Sequence, residues 1–166
     1  MEHGAVKKGI VQAILPVLLL TIPEAVTAQQ LDACTVLSTD EIKSALGRND
    51  LSVAKAGRAS GGYSDCRFAA SGTGDVRITM TPATSSAKAD FDLKPQIYAD
   101  EGKKFEKVAG IGDGAYYWDD TIEFRVGTRI VSLWVNRTPR TESATVVKSA
   151  LTALARRVTD RLRAAG

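Results

Sequence analysis

The sequence predicts an α+β domain: an antiparallel sheet with helices packed mostly on one face. Three observations carry this expectation. Val76, Ile78 and Met80 alternate with Arg77, Thr79 and Thr81, the period of a half-buried strand. A two-residue turn at Gly127-Thr128 would pair Phe124 with Val131 and Ile122 with Leu133, so an apolar face emerges from turn geometry alone. Val147, Leu151, Leu154, Val158 and Leu162 form a stripe at helical spacing near the end of the chain.

Residues 1–28 read as a cleaved secretory signal. Lys7 and Lys8 supply a positive start, and Ile10 to Ile22 is an apolar run of 13 residues broken by Pro23. Val26 and Ala28 suit the small-residue requirement of signal peptidase, which places cleavage before Gln29. The alternative is an uncleaved anchor, but a membrane span takes about 20 apolar residues. Leu31-Asp32-Ala33-Cys34 superficially resembles a lipoprotein processing site. The early end of the apolar run and the acid at Asp32 argue against it. The expected location is periplasmic or secreted, with no transmembrane segment after processing.

Residues 29–166 then suit a single domain with one core. Cys34 and Cys66 are the two cysteines of the chain, and in an exported protein an even count points to a disulfide. Two free thiols are the alternative.

The first helix is the best-marked element. Ser38 and Glu41 form a capping box, Leu37 and Ile42 a hydrophobic staple, and Gly47 a left-handed C-terminal cap, giving Thr39–Leu46. Leu51 and Val53 begin a strand, with Gly57 and Ser60-Gly61-Gly62 marking the turn after it. Cys66 and Phe68 share one face of the next strand, and Asp75–Thr81 forms another. Ser85 to Asp100 reads as helix, kinked or ended by Pro95 and closed by Gly102. Phe105–Val108 and Ala115–Trp118 read as strands, followed by the Gly127-Thr128 hairpin. The last helix runs from about Glu142 to Ala164. Its Arg156, Arg157, Arg161 and Arg163 read as a solvated face that complements the helix dipole.

Several chemistries are disfavoured. The one histidine, His3, lies in the signal segment, so the mature chain has no Ser-His-Asp or Cys-His arrangement. No cofactor or metal is expected. Gly110-Ile111-Gly112-Asp113-Gly114 precedes a strand, whereas a phosphate-binding loop must open a helix, so it reads as a tight turn. Asp119, Asp120 and Glu123 read as a polar hairpin, with calcium binding or an acid–base pair as weaker alternatives. Asn136-Arg137-Thr138 matches a glycosylation pattern to which no role is assigned. The net charge of +3 is too mild for a nucleic-acid footprint. The candidate binding surface gathers Tyr116, Trp118 and Trp134 with Arg67, Arg77 and Arg125, a set able to hold an anionic or aromatic ligand or an envelope protein.

The run from Cys34 through Ser38-Thr39-Asp40-Glu41-Ile42 to Gly47 continues into Ser64-Asp65-Cys66-Arg67-Phe68. With Val108-Ala109-Gly110-Ile111-Gly112-Asp113-Gly114-Ala115 and a closing helix, it resembles a broad group of small bacterial exported proteins and lipoproteins. The resemblance implies a PsbP-like fold of sheet plus helices, as in photosystem II accessory proteins. It assigns no catalytic residue. The functional expectation is a non-enzymatic binding or accessory module of the cell envelope. A carboxylate-dependent envelope hydrolase and a purely structural envelope protein are the alternatives.

Overall fold

A computed structural model describes residues 32–58, 63–70, 73–137 and 143–166. The signal reading and its cleavage before Gln29 lie outside the described residues, as do Ser60-Gly61-Gly62, Thr138 and Glu142.

Helix α1 spans Thr39–Leu46, the range expected. Ser38 Oγ accepts from the Glu41 amide at 3.2 Å, and the Glu41 carboxylate accepts from the Ser38 amide at 2.9 Å. Leu37 and Ile42 are both buried, so the staple forms. Gly47 closes the helix at φ 66°, and its N–H reaches the Lys43 carbonyl.

The strands follow as β1 Ser52–Arg58, β2 Ser64–Ala70 and β3 Thr73–Met80. Gly57 belongs to β1, where it pairs with Asp65, and not to the turn in which the sequence placed it. Its neighbours Ala56 and Arg58 pair with Cys66 and Ser64, which holds it in the ladder. Helix α2, Ala87–Ile97, contains Pro95 and ends two residues past it. A short 3₁₀ turn, Ala99–Glu101, leads to Gly102 at φ 72°. Then come β4 Glu106–Lys107, β5 Gly114–Trp118, β6 Thr121–Val126, β7 Arg129–Val135 and helix α3 Ala144–Ala164. The Ser143 hydroxyl caps α3 by accepting from the Val146 amide.

Among the described residues the strands form one antiparallel sheet in the order β1-β2-β3-β7-β6-β5-β4. The β6–β7 register is the expected one, with Ile122 opposite Leu133 and Phe124 opposite Val131. Gly127 takes φ 58° while Thr128 does not enter the left-handed region, as a type II′ turn requires.

One face of this sheet carries the core. Cys66, Phe68, Val76, Ile78, Met80, Ile122, Phe124, Val131 and Leu133 are each at most 1 % exposed. They meet Ile42 and Leu46 of α1 and Val147, Leu151, Leu154 and Val158 of α3. Each such large side chain contributes roughly 1.5–3 kcal/mol by leaving water. The Cys34–Cys66 disulfide joins the turn before α1 to β2. Asp32 is part of that turn: its carboxylate accepts from the amides of Cys34 and Thr35 at 2.8 and 3.0 Å.

Helix α2 lies on the opposite face. Ala87 and Phe91 pack with Ile130 and Tyr116, all out of phase with the core positions of their strands. Two helices therefore share the core face, and the third covers part of the other.

Candidate functional site

The face opposite α1 and α3 divides into a covered and an open part. Over β4 and β5 it is roofed by rings. Phe91 stacks on Tyr116 at 5.0 Å, Phe105 lies 4.5 Å from Trp118, and Tyr98 stacks on Phe105 at 6.1 Å. Beneath α2 the Lys94 ammonium sits 2.6 Å from Glu123 Oε1 and 2.7 Å from Oε2. Burial pushes the Glu123 carboxyl upward, and Lys94 opposes that shift.

Over β2, β3 and most of β7 no helix among the described residues covers the face. Strand pairing there aligns one row across five strands. Arg67 faces Arg77, Arg77 faces Trp134, Trp134 faces Thr121, and Thr121 faces Trp118. The next row runs Asp65, Thr79, Ser132, Glu123, Tyr116. Alternation of side chains along a strand puts both rows on this face.

Two arginines directly opposite each other repel. Diagonal carboxylates offset this. Asp75 accepts from Arg67 Nε at 2.6 Å, and Asp65 accepts from Arg77 Nε and Nη2 at 2.6 and 3.1 Å. The carboxylates lie deeper than the cations: Asp75 and Asp65 are 10 % and 23 % exposed, Arg67 and Arg77 56 % and 51 %. The bond from Asp65, with its charge and that of Asp75, lifts the Arg77 guanidinium further above its ordinary value, against the opposing effect of burial.

Two shallow hollows lie on this open part. One, of about 340 Å³, is lined by Arg77, Thr79, Thr121, Ser132 and Trp134. The other, of about 260 Å³, is lined by Asp65, Arg67, Asp75, Arg77 and Trp134.

Of the six side chains the sequence grouped, Arg67, Arg77 and Trp134 line the hollows. Tyr116 and Trp118 share their face but are packed under Phe91 and Phe105. Arg125 shares the face too, yet its Nη1 donates to Asp113 and to the Gly127 carbonyl, at 3.1 and 2.7 Å. It braces the turn between β6 and β7. Asp65, Asp75, Thr79, Thr121 and Ser132 were missed. The signal for Asp65, Asp75, Thr79 and Ser132 was their even spacing from Arg67, Arg77 and Trp134 along the same strands, and for Thr121 its even spacing from Arg125 on β6.

The acidic hairpin separates. Asp119 and Asp120 take φ 41° and 59°, the backbone of a two-residue type I′ turn, which Asp tolerates. Asp120 accepts from Arg137 Nε at 2.6 Å and from the Tyr117 hydroxyl at 3.2 Å, whereas Glu123 goes to Lys94. Tyr117 lies in phase with the core, so Asp120 and Glu123 serve opposite faces. No group of three or more His, Cys, Asp or Glu side chains able to hold a metal occurs among the described residues.

Three of the four arginines of α3 are engaged, while Arg156 is exposed. Arg161 donates to both Glu41 oxygens and to the Val36 carbonyl, Arg157 lies 3.5 Å from Glu41, and Arg163 donates to the Gly112 carbonyl. The expected solvated face is in part a clamp on α1 and on the glycine-rich turn.

No helix among the described residues is long and apolar enough to cross a membrane. The chain matches no protein-family model, no curated protein and no solved structure.

Proposed function

We propose that this chain is an exported, non-enzymatic binding module of the cell envelope, and that its binding surface is the open sheet face. The observation that carries the reading is the row Arg67, Arg77, Trp134, in register across β2, β3 and β7 and uncovered by any helix among the described residues. Guanidinium groups and an indole held on a rigid sheet offer directed donors and a flat apolar surface with little ordering cost. The charge pattern of residues 1–28 and the disulfide support export to the periplasm or medium. The likeness to small bacterial exported proteins supports an accessory role.

The hydrolase alternative needs two carboxylates facing each other across a pocket, one of them protonated. Here Asp65, Asp75 and Glu123 are each bonded to a cation, and the hollows are shallow.

Site-specific photocrosslinking tests the proposal. A crosslinker at Ser132, on the open face, is expected to yield defined adducts in native envelope, whereas one at Asp160, on the exposed side of α3, is not. Equal labelling from both positions, or none from Ser132, counts against the open face as the binding surface.

A further inference from the structure

Helix α2 is held to the sheet more lightly than α1 or α3. Of its 11 residues, Ala87 and Phe91 are buried, and with Ile130 and Tyr116 they form a small cluster apart from the main core. Helix α3 buries seven residues, and α1 is fastened by Ile42 and Leu46, by Arg161 and by the disulfide just before it. Helix α2 is also weak in itself. Ser86 at its N-cap makes no side-chain bond to the first turn, unlike Ser38 and Ser143. Pro95 removes an amide donor from its last turn. A helix this short is marginal in water without its packing.

One ion pair ties the second half of α2 down. Lys94 reaches Glu123, the carboxylate buried beneath it. Oε2 accepts from Nζ at 2.7 Å, whereas Oε1, with the same cation beside it, receives no directed hydrogen bond among the described residues. A buried oxygen in that state gains donors when water reaches it. The ends of the segment suit pivots. Before α2, the Thr81 amide donates to the Ile130 carbonyl and the Thr84 amide to the Thr128 carbonyl, each at 2.9 Å, so β7 holds that end. After it, Tyr98 rests on the half-buried ring of Phe105, and the backbone turns at Gly102, φ 72°.

The sheet under α2 continues the hollow beside it. Glu123 pairs with Ser132, which lines that hollow, and Thr121, on the same face of β6, lines it too. With α2 lifted, the row Asp65, Thr79, Ser132, Glu123, Tyr116 would lie open from β2 to β5. We infer that α2 is a movable cover of the binding face, latched by Lys94 on Glu123, which opens as a unit while the rest of the domain stays folded. The inference rests on the binding function proposed above and assigns its regulation. A ligand that uses the covered row binds the open form, so the fraction open scales its affinity.

Native-state amide exchange of the disulfide-intact chain tests the opening, beginning with the wild type. Amides from Phe91 to Ile97 are expected to exchange at least about a hundredfold faster than those of β3 and β7, after correction for intrinsic rates. Their exchange should respond little to low urea, because a local opening exposes little surface. Lys94→Ala strands the Glu123 carboxylate and should raise α2 opening by about a hundredfold while β3 and β7 stay protected. Adding Glu123→Gln should return much of the protection. Lys88→Ala, which breaks the exposed Lys88–Asp92 pair on the same helix, should change opening by about twofold at most.

The covering role is read from the crosslinker at Ser132: in the Lys94→Ala background its adduct yield in native envelope should rise several-fold over wild type. Exchange of α2 only together with β3 and β7 overturns the inference, and so does an opening indifferent to Lys94. Opening without a rise in Ser132 adducts overturns the covering role. If adducts form but α2 does not open separately, the binding function stands and the cover falls. If α2 opens and Ser132 yields no adducts in either protein, the binding function falls and the cover with it.

Discussion

Arg161, close to the end of α3, grips Glu41 in the first turn of α1: Nη1 and Nη2 reach the two carboxylate oxygens at 2.9 and 2.8 Å. The same guanidinium donates to the Val36 carbonyl at 2.6 Å. One cation thus joins the C-terminal helix to the cap of the first helix and to the segment that leads from Cys34.

The pH response of this contact follows from its carboxyl. Burial raises the Glu41 pKa, but the bonds from Arg161 and Ser38 outweigh it and hold the group at about 2, below its ordinary 4.5. A depressed folded pKa means stability present above pH 4.5 and lost as pH falls toward about 2. Glu41→Gln is expected to lower stability by about 1–3 kcal/mol at pH 7. The gap from wild type should close near pH 2, read as urea midpoints across pH. A gap constant from pH 7 to pH 2 would sink this account.

Lys94 and Glu123 should behave as a coupled buried pair. Removing the cation strands a carboxylate that is 8 % exposed under α2. Lys94→Ala is expected to cost about 3 kcal/mol at pH 7. Burial raises the Glu123 pKa, so the penalty belongs to the charged form: it grows as pH rises through the folded pKa and shrinks in acid. Adding Glu123→Gln should recover much of the loss at neutral pH. Strictly additive single and double variants in thermal unfolding would exclude the coupling.

Gly112 and Gly110 separate two reasons for a glycine. Both take positive φ, 52° and 72°. A Cβ on Gly112 would also lie 2.1 Å from the Arg125 carbonyl oxygen, a backbone atom, whereas one on Gly110 meets nothing closer than 3.9 Å. Gly110→Ala should therefore cost only the left-handed backbone penalty, about 1–2 kcal/mol. Gly112→Ala should cost more and disturb the Asp113 amide bond to the Arg125 carbonyl, now 2.7 Å. Amide exchange at Asp113 reads the difference, and equal effects in the two variants would contradict it.

The disulfide closes a loop with a sequence separation of 32 residues. In the chain-entropy model this restricts the unfolded state by about 4 kcal/mol. Paired Cys34→Ser and Cys66→Ser variants should lose stability of that order in denaturant titration. Under the proposed export, intact mass of the mature chain should show two hydrogens fewer than the reduced chain and an N-terminus at Gln29. A lipid-modified Cys34 would refute both pairing and cleavage.

Much of the fold was legible because its determinants are local. The capping box of Ser38 and Glu41, the staple of Leu37 and Ile42, and Gly47 at φ 66° act within a few residues, and α1 occupies its predicted span. The Gly127-Thr128 turn sets the β6–β7 register because a two-residue loop leaves no slack. Glycine alone is a weaker sign: Gly57 stands in a strand, since pairing partners rather than propensity decide a ladder.

By itself the sequence determined the α+β class, the first helix and which residues of each strand point the same way, and it pointed to the Cys34–Cys66 disulfide that the structure contains. Tertiary structure decided which strands become neighbours. By setting β3 against β7 it placed Arg77 beside Trp134, residues far apart in the chain. It also laid α2 over β6 and β7 with Phe91 on Tyr116, and set Phe105 over Trp118, so both rings are packed while Trp134 lines the hollow. The physical reason is range. Caps, turns and side-chain alternation are written in neighbouring residues, but strand order and the seating of α2 depend on how the whole chain buries its apolar surface, and that is a property of no single segment.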